Sequence, residues 1–369
     1  MNALSRKFAA AASVAGLLAL AACGSDGGKS IDSGSDNGGA AGNATGTIAG
    51  AGASAQESAQ GAWFNGFMAQ NPGSKVTYDS VGSGKGREQF LSGATDFAGT
   101  DDYLDEEELK ASEKRCAGGT ALDVPVYVSP IAVVYKLDGV EDLQLSPEVL
   151  AGIFSGTITK WNDPKIQADN PDAQLPDLTI VPVHRSDKSG TTGNFTDYLS
   201  QAAPNEWTHG HIDEWFESGG QSGDGTTGMM TAVTSGNGTI GYADASKAKG
   251  ASVAKLKVGE EWVEVSPEGA AKAVEVSDVA EGRPEGDLAL EIDRTTTESG
   301  AYPLVLVSYL AVCDTYDTAE KADTVKAYAS YIISEQGQQD AAQAAGSAPL
   351  SEQMRKDAQA SIDTIKAKG

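Results

Sequence analysis

Two near-continuous apolar runs, 122–135 and 302–312, dominate the hydrophobic pattern of the chain. Runs of this kind are what central strands buried on both faces look like, and Ser129-Pro130 breaks the first of them. Around them a shorter theme recurs: a strand-like segment, a turn of small residues, then helical periodicity. Segment 47–50 passes through Ala51-Gly52-Ala53-Ser54-Ala55 into a helix with Ala59, Ala62, Trp63, Phe67 and Ala69 near one face. Segment 75–81 runs into Gly82-Ser83-Gly84-Lys85-Gly86 and a helix carrying Arg87, Phe90 and Leu91. A third strand, 95–101, ends at Asp101 ahead of the acidic 105–108, which suits the first turn of a helix. Farther on, 181–185 leads through a polar turn with Arg185, Asp187, Ser189 and Gly190 into a helix from Thr191. Ser146-Pro147-Glu148 starts a helix through Phe154, 239–242 reads as a strand, and 318–333 and 350–365 are alanine-rich and helical. Glycine-rich 219–228 and weakly patterned 247–294 fill the rest. Strands alternating with helices make the fold class α/β.

Length and charge narrow this picture. The 369 residues are enough for about two domains, and the formal net charge is −25. So acidic a surface repels nucleic acid, which argues against a polyanion as partner, but it does not forbid a small anion. Such an ion feels oriented N–H groups and one buried arginine at short range, while distant charges are screened beyond roughly 10 Å. At the start, Arg6 and Lys7 precede an apolar, alanine-rich run that is too short for a membrane span and reads as an export signal, 1–22. Its end, Leu20-Ala21-Ala22-Cys23, is similar to the lipobox of bacterial lipoproteins, in which the cysteine is acylated on sulfur, palmitate being the implied chain, and becomes the mature N-terminus. Gly, Ser, Asp and Asn then make 23–46 a flexible tether. Two cysteines remain, Cys116 and Cys313; an oxidising compartment and an even count suggest one disulfide, and two small buried hydrophobes are the other reading.

The recurring turns are candidate chemistry. A helix N-terminus presents unpaired N–H groups and the positive end of the dipole, so an anion is stabilised there. Ser189, Thr191 and Thr192 add hydroxyls, and Arg185 adds a planar fork that fits phosphate, sulfate or carboxylate. The Gly82–Gly86 loop is not a Walker A motif, because Asp79 stands where Gly is needed and Gly86 where Ser or Thr is needed. Asp101, at a strand end after Gly99-Thr100, is placed to reach into a cleft. A nucleophile and base could be sought in Ser189 and His184, but no G-x-S-x-G elbow accompanies them. His209-x-His211-x-Asp213 has metal-ligand spacing on a strand, yet its loop-like, Trp-flanked context favours solvated or capping roles.

Taken in order, G-A-G-A-S at 50–54, V-G-S-G at 81–84, D-F-A-G-T-D at 96–101 and H-R-S-D-K-S-G-T-T at 184–192 resemble one family, the phosphate-binding component of the bacterial high-affinity phosphate ABC transporter. W-N-D-P at 161–164, Asp224-Gly225 and G-T-I-G-Y at 238–242 extend the resemblance over most of the chain from Thr47. It implies a two-lobe, periplasmic-binding-protein-like fold of type II with the ligand between lobes joined by two crossing strands near Val126 and Tyr302. One lobe is then 47–125 with 303–369, the other 126–302. It implies phosphate ligands at Ser54, the Ala55 amide, Ser83, Asp101, Arg185, Ser189, Gly190 and Thr191. It also implies no cofactor, no metal and no catalysis, with a permease and ATPase complex as partners and a lipid anchor at Cys23 on the extracytoplasmic face of the cell membrane. The alternatives are another oxyanion, sulfate or molybdate, and a secreted phosphatase. This chain departs from the family in Ser54-Ala55, where Thr-Phe is frequent, and in Gly84-Lys85-Gly86, which brings a cation near the expected site. Asp101 has two expected roles: choosing a protonated anion over sulfate, or only holding Arg185 in place.

Overall fold

The computed structural model describes residues 44–216 and 220–369. The expected signal, the acylated Cys23 and nearly all of the tether lie outside them. Ala44 to Gly46 do not behave as tether: the Ala44 amide donates to Asn71, and Gly46 O accepts from Lys75 N at 2.9 Å.

In the first part of the chain, β1 (Thr47–Gly52), α1 (Glu57–Gln70), β2 (Lys75–Ser80), α2 (Ser83–Leu91), β3 (Phe97–Thr100) and α3 (Glu106–Arg115) follow one another. Parallel pairing puts β1 between β2 and β3, so all three strands end at the same edge, where their helices begin. The stripe that α1 buries is Ala59, Gln60, Trp63 and Phe67. Ala69, expected on that face, is exposed, since six residues carry it most of the way round the helix. Gln60 takes a buried place because Tyr328 Oη donates to its side chain at 2.8 Å.

Next comes β4 (Ala121–Lys136), buried throughout except for Lys136. The second part is built from β5 (Gln144–Leu145), α4 (Pro147–Phe154), α5 (Pro164–Asp169), β6 (Val181–Arg185), α6 (Gly190–Ala202), β7 (Gln221–Gly223), α7 (Gly225–Thr234) and β8 (Thr239–Asp244). The weakly patterned stretch forms short pieces: β9 (Ser252–Val253), β10 (Lys255–Val258), β11 (Glu261–Val263), α8 (Pro267–Glu275), β12 (Asp278–Val279) and β13 (Leu290–Glu291). The chain returns through β14 (Val305–Cys313) and β15 (Thr315–Tyr316), and ends in α9 (Ala319–Ile333), α10 (Glu335–Ala345), α11 (Glu352–Asp363) and β16 (Lys366–Ala367). Helix α10, which the apolar pattern does not announce, is marked by its ends: Ser334 caps it and Gly346 closes it in the left-handed conformation.

The main sheet runs β2-β1-β3-β14-β4-β8-β6-β7, and β4 is its spine. Residues 121–130 of β4 pair antiparallel with β14, and from Ile131 the strand pairs with β8 instead. The break expected at Ser129-Pro130 is therefore a change of partner within one unbroken strand. Where Pro125 lacks an N–H, the register slips: Ser308 faces Tyr127 while Tyr309 faces Pro125. The extra residue of this bulge is Val126 of β4, and the β3–β14 register, in which Tyr309 faces Thr100, brings Ser308 opposite Asp101. Cys116 and Cys313, both fully buried, are joined by a disulfide with Cα atoms 5.1 Å apart.

Candidate functional site

Four helix starts meet where the parallel strands end. Ser54 follows β1, and its Oγ lies 2.8 Å from Thr226 Oγ1 and accepts from the Thr226 amide at 3.1 Å, at the first turn of α7. Ala55, fully buried, comes next on the approach to α1. Ser83 is the first residue of α2; Gly82 before it has φ +87°, which only glycine adopts without strain. Ser83 Oγ accepts from the Asp101 amide at 3.1 Å. From the other side, Ser189 caps α6 and takes the Thr192 amide on its hydroxyl, with Gly190 and Thr191 in the first turn. Gly190 has to be glycine for want of space: a Cβ there would stand 2.8 Å from Asp101 Cβ, from the Asp102 amide and from Ser83 Oγ. All eight expected residues are buried, and contacts run from Ser54 to the start of α7 and from Asp101 to Ser83, Gly190 and Thr191.

Arg185, 3% exposed, points its fork at Asp187: Nε donates at 2.7 Å, and the second arm bonds the other carboxylate oxygen. Asp187 also takes the Gly225 amide at 3.0 Å, tying the β6 turn to the start of α7. Asp101 is thus not what holds Arg185. Its Oδ1 accepts from Ser308 Oγ at 2.5 Å and its Oδ2 from Thr191 Oγ1 at 3.1 Å. Asn194 donates to the Asp101 carbonyl and, at 2.9 Å, to that of Gly190. Burial pushes the Asp101 carboxyl up to about 6, with Asp244 adding to the rise; the Ser308 and Thr191 hydrogen bonds and the Arg185 charge pull the other way. Lys85, the cation expected near the site, is exposed on α2 between buried Gly84 and Gly86.

Chemically, this is an array of donors (hydroxyls, helix N–H groups and a clamped guanidinium) with one carboxyl acceptor among them. It suits a small tetrahedral oxyanion that still carries a proton. The residues of the enzyme reading are engaged elsewhere. Ser189 Oγ caps α6, while the His184 ring stacks on Trp215 with centroids 5.0 Å apart. The metal reading separates too, since His209 stacks on Phe216, His211 meets Asp102 and Asp213 meets Arg87. Among the described residues no group of three or more metal-ligating side chains converges, and no helix is long and apolar enough to cross a membrane.

A model of the PBP superfamily domain matches residues 38–336. Phosphate-binding protein PstS 3 of Mycobacterium leprae is 36% identical over 277 residues, 73% of this chain and 74% of that protein. The chain belongs to the PstS family. Phosphate-binding protein PstS 2 of Mycobacterium tuberculosis is 35% identical over 309 residues, 81% of this chain and 82% of its own. Among solved structures, a high affinity periplasmic phosphate-binding protein (PfluDING) bound with phosphate is similar with a TM-score of 0.68 at 20% identity, covering 85% of this chain and 93% of that one. At that identity the likeness speaks for the fold alone: two lobes of the periplasmic-binding-protein kind. PstS proteins are extracytoplasmic binding components and not enzymes.

Several partners of the PstS-type site escape sequence reasoning. Thr226, Ser308 and Asn194 complete the hydrogen bonding of Ser54, Asp101 and Gly190, and Asp187, visible in the turn, had no role assigned. Ser308 alone left a signal, as the one serine or threonine inside the apolar run Val305–Cys313.

Proposed function

We propose that this protein binds inorganic phosphate outside the cytoplasm and delivers it to an ABC permease and its ATPase for import. One observation carries the choice of anion: a buried carboxyl, Asp101, stands among donors where the strands end. Phosphate at neutral pH retains a proton on much of its population and can donate to that carboxyl, whereas sulfate has none to give. The ligands on this reading are the Ser54, Ser83, Ser189 and Thr191 hydroxyls, the Ala55 and Gly190 amides, the Arg185 guanidinium and Asp101. They come from two lobes, 47–125 with 303–369 and 126–302, which close on the anion and present a joint surface to the permease. Heat-denaturing the purified protein and assaying the released ligand tests the reading. Phosphate is expected, and sulfate or molybdate in its place would overturn it.

Anchoring through acylated Cys23 belongs to the same proposal, supported by the lipobox and the tether after it. Cys23→Ala should move the protein from the membrane to the soluble fraction. Membrane association unchanged in that variant would refute the anchor.

A further inference from the structure

The motif His209-x-His211-x-Asp213 is left over from the reading of the site, and in the fold it does something other than hold a metal. His211 Nε2 lies 2.8 Å from Asp102 Oδ2, and Asp213 Oδ2 accepts from Arg87 Nη2 at 2.9 Å. Both partners belong to the first part of the chain, Arg87 on α2 and Asp102 just beyond β3, while the loop carrying His211 and Asp213 belongs to the second. Arg87 is fastened to its own side, with Nε donating to Glu108 at 2.9 Å and Nη1 to Thr100 at 3.2 Å. Asp213 is fastened to the other, its carbonyl accepting the Ser189 amide at 2.8 Å and its carboxylate lying 3.6 Å from Lys188 Nζ. Gly193 of α6 makes room for the histidine pair: a Cβ there would stand 2.6 Å from Asp102 Oδ2 and 2.8 Å from His211 Nε2. None of these four side chains is among the expected anion ligands.

We propose that Asp102–His211 and Arg87–Asp213 form a clasp across the cleft, one bond proton-dependent and one permanent, which holds the lobes closed on the anion. This rests on the reading above, in which the two halves move apart when the anion leaves. His211 faces Asp102, Asp197 and Asp213; Arg87 and Arg294 stand behind Asp102, and Asp101, Tyr103 and Glu291 line the same small cavity beside the pair. The hydrogen bond to Asp102, helped by the charges of the three carboxylates, raises the histidine above its ordinary value against an opposing effect of burial. Burial lifts the Asp102 carboxyl, but the bond to His211 and the charges of His211, Arg87 and Arg294 together outweigh it and hold it low. The sign follows from linkage: a histidine raised in the closed state contributes fully below about pH 6.5 and loses its contribution as pH climbs through the raised value. By reciprocity, what makes closure favour the proton makes the proton favour closure, and hence the anion.

The experiment compares wild type with His211→Gln and Asp213→Asn by calorimetric titration with inorganic phosphate at pH 6 and pH 8.5. Glutamine keeps a hydrogen-bond donor but has no proton to lose. Taking the ratio of wild type to variant cancels the titration of phosphate and of Asp101. With His211 half-exposed, the ratio for His211→Gln should be about 5-fold at pH 6 and fall toward one at pH 8.5. For Asp213→Asn it should exceed one at both, and by somewhat more at pH 6, because the charge of Asp213 also helps to raise His211. A His211→Gln ratio that does not change with pH overturns the proton-dependent arm, and an Asp213→Asn affinity equal to wild type overturns the permanent one. Wild type that binds no phosphate at either pH would instead refute the functional reading. Melting curves of the ligand-free variants verify that each is folded.

Discussion

At Asp101 stability and selectivity oppose one another. The carboxyl is 2% exposed, and burial pushes it up to about 6. An acid raised on folding takes up a proton, so its contribution is most favourable below about pH 4, declines as pH rises to about 6, and stays at its least favourable above. Asp101→Asn should therefore relieve a cost of up to ~3 kcal/mol in the closed arrangement at pH 8 and almost none at pH 4, so that denaturant melts show the variant stabilised more at pH 8, by less than this where the lobes open and expose the carboxyl. Ser308 can donate to the amide oxygen as it does to the carboxylate. The same substitution should spoil discrimination. A sulfate oxygen facing the buried carboxylate sets two negative acceptors together with no proton between them, worth at least ~100-fold in affinity, whereas asparagine can donate to it. Titration of the variant with both anions decides this: a phosphate-to-sulfate ratio equal to wild type would remove Asp101 as the discriminating group.

Among the elements, α6 has the most exacting position, because its first residue fills the gap between Asp101, Asp102 and Ser83. Gly190→Ala should leave the melting temperature of the ligand-free protein nearly unchanged, since with the lobes apart the added methyl no longer meets Asp101, Asp102 and Ser83. Phosphate binding should nevertheless weaken by ~10-fold or more, as the added methyl holds the helix start away from Asp101. An affinity within twofold of wild type would mean that the approach seen here is not the one binding uses. The starts of α2 and α6 could be read in the sequence because strand, turn and helix start are local, and so could the expected ligands lodged in them. Their partners could not. Ser54 meets Thr226 across 172 positions and Asp101 meets Ser308 across 207, pairings made by the order of the strands and, for Ser308, by the β3–β14 register. His211 read as solvated or capping for the same reason: spacing shows which residues can share a face, not which carboxylate comes to meet them.

On the scale of the whole molecule, the two parts are joined by β4, continuous through both, and the disulfide ties the end of α3 to the end of β14 within the first of them. Closing a loop of 197 residues should stabilise by about 5 kcal/mol through the lost freedom of the unfolded chain. Reduction should lower the unfolding free energy by most of that amount. Thiol titration of unfolded, unreduced protein with Cys23 blocked should find neither Cys116 nor Cys313 free, and two free thiols would refute the bond in the native protein. The bond also divides the chain into a ring and its two tails. Arg185, Ser189, Gly190 and Thr191 lie inside the ring, and Ser54, Ser83 and Asp101 lie on the leading tail. A protease outside the cell that cuts once anywhere in the ring opens it without separating anything. The nicked protein would run at full mass without reductant and as two fragments with it, and both halves of the site would stay on one covalent molecule.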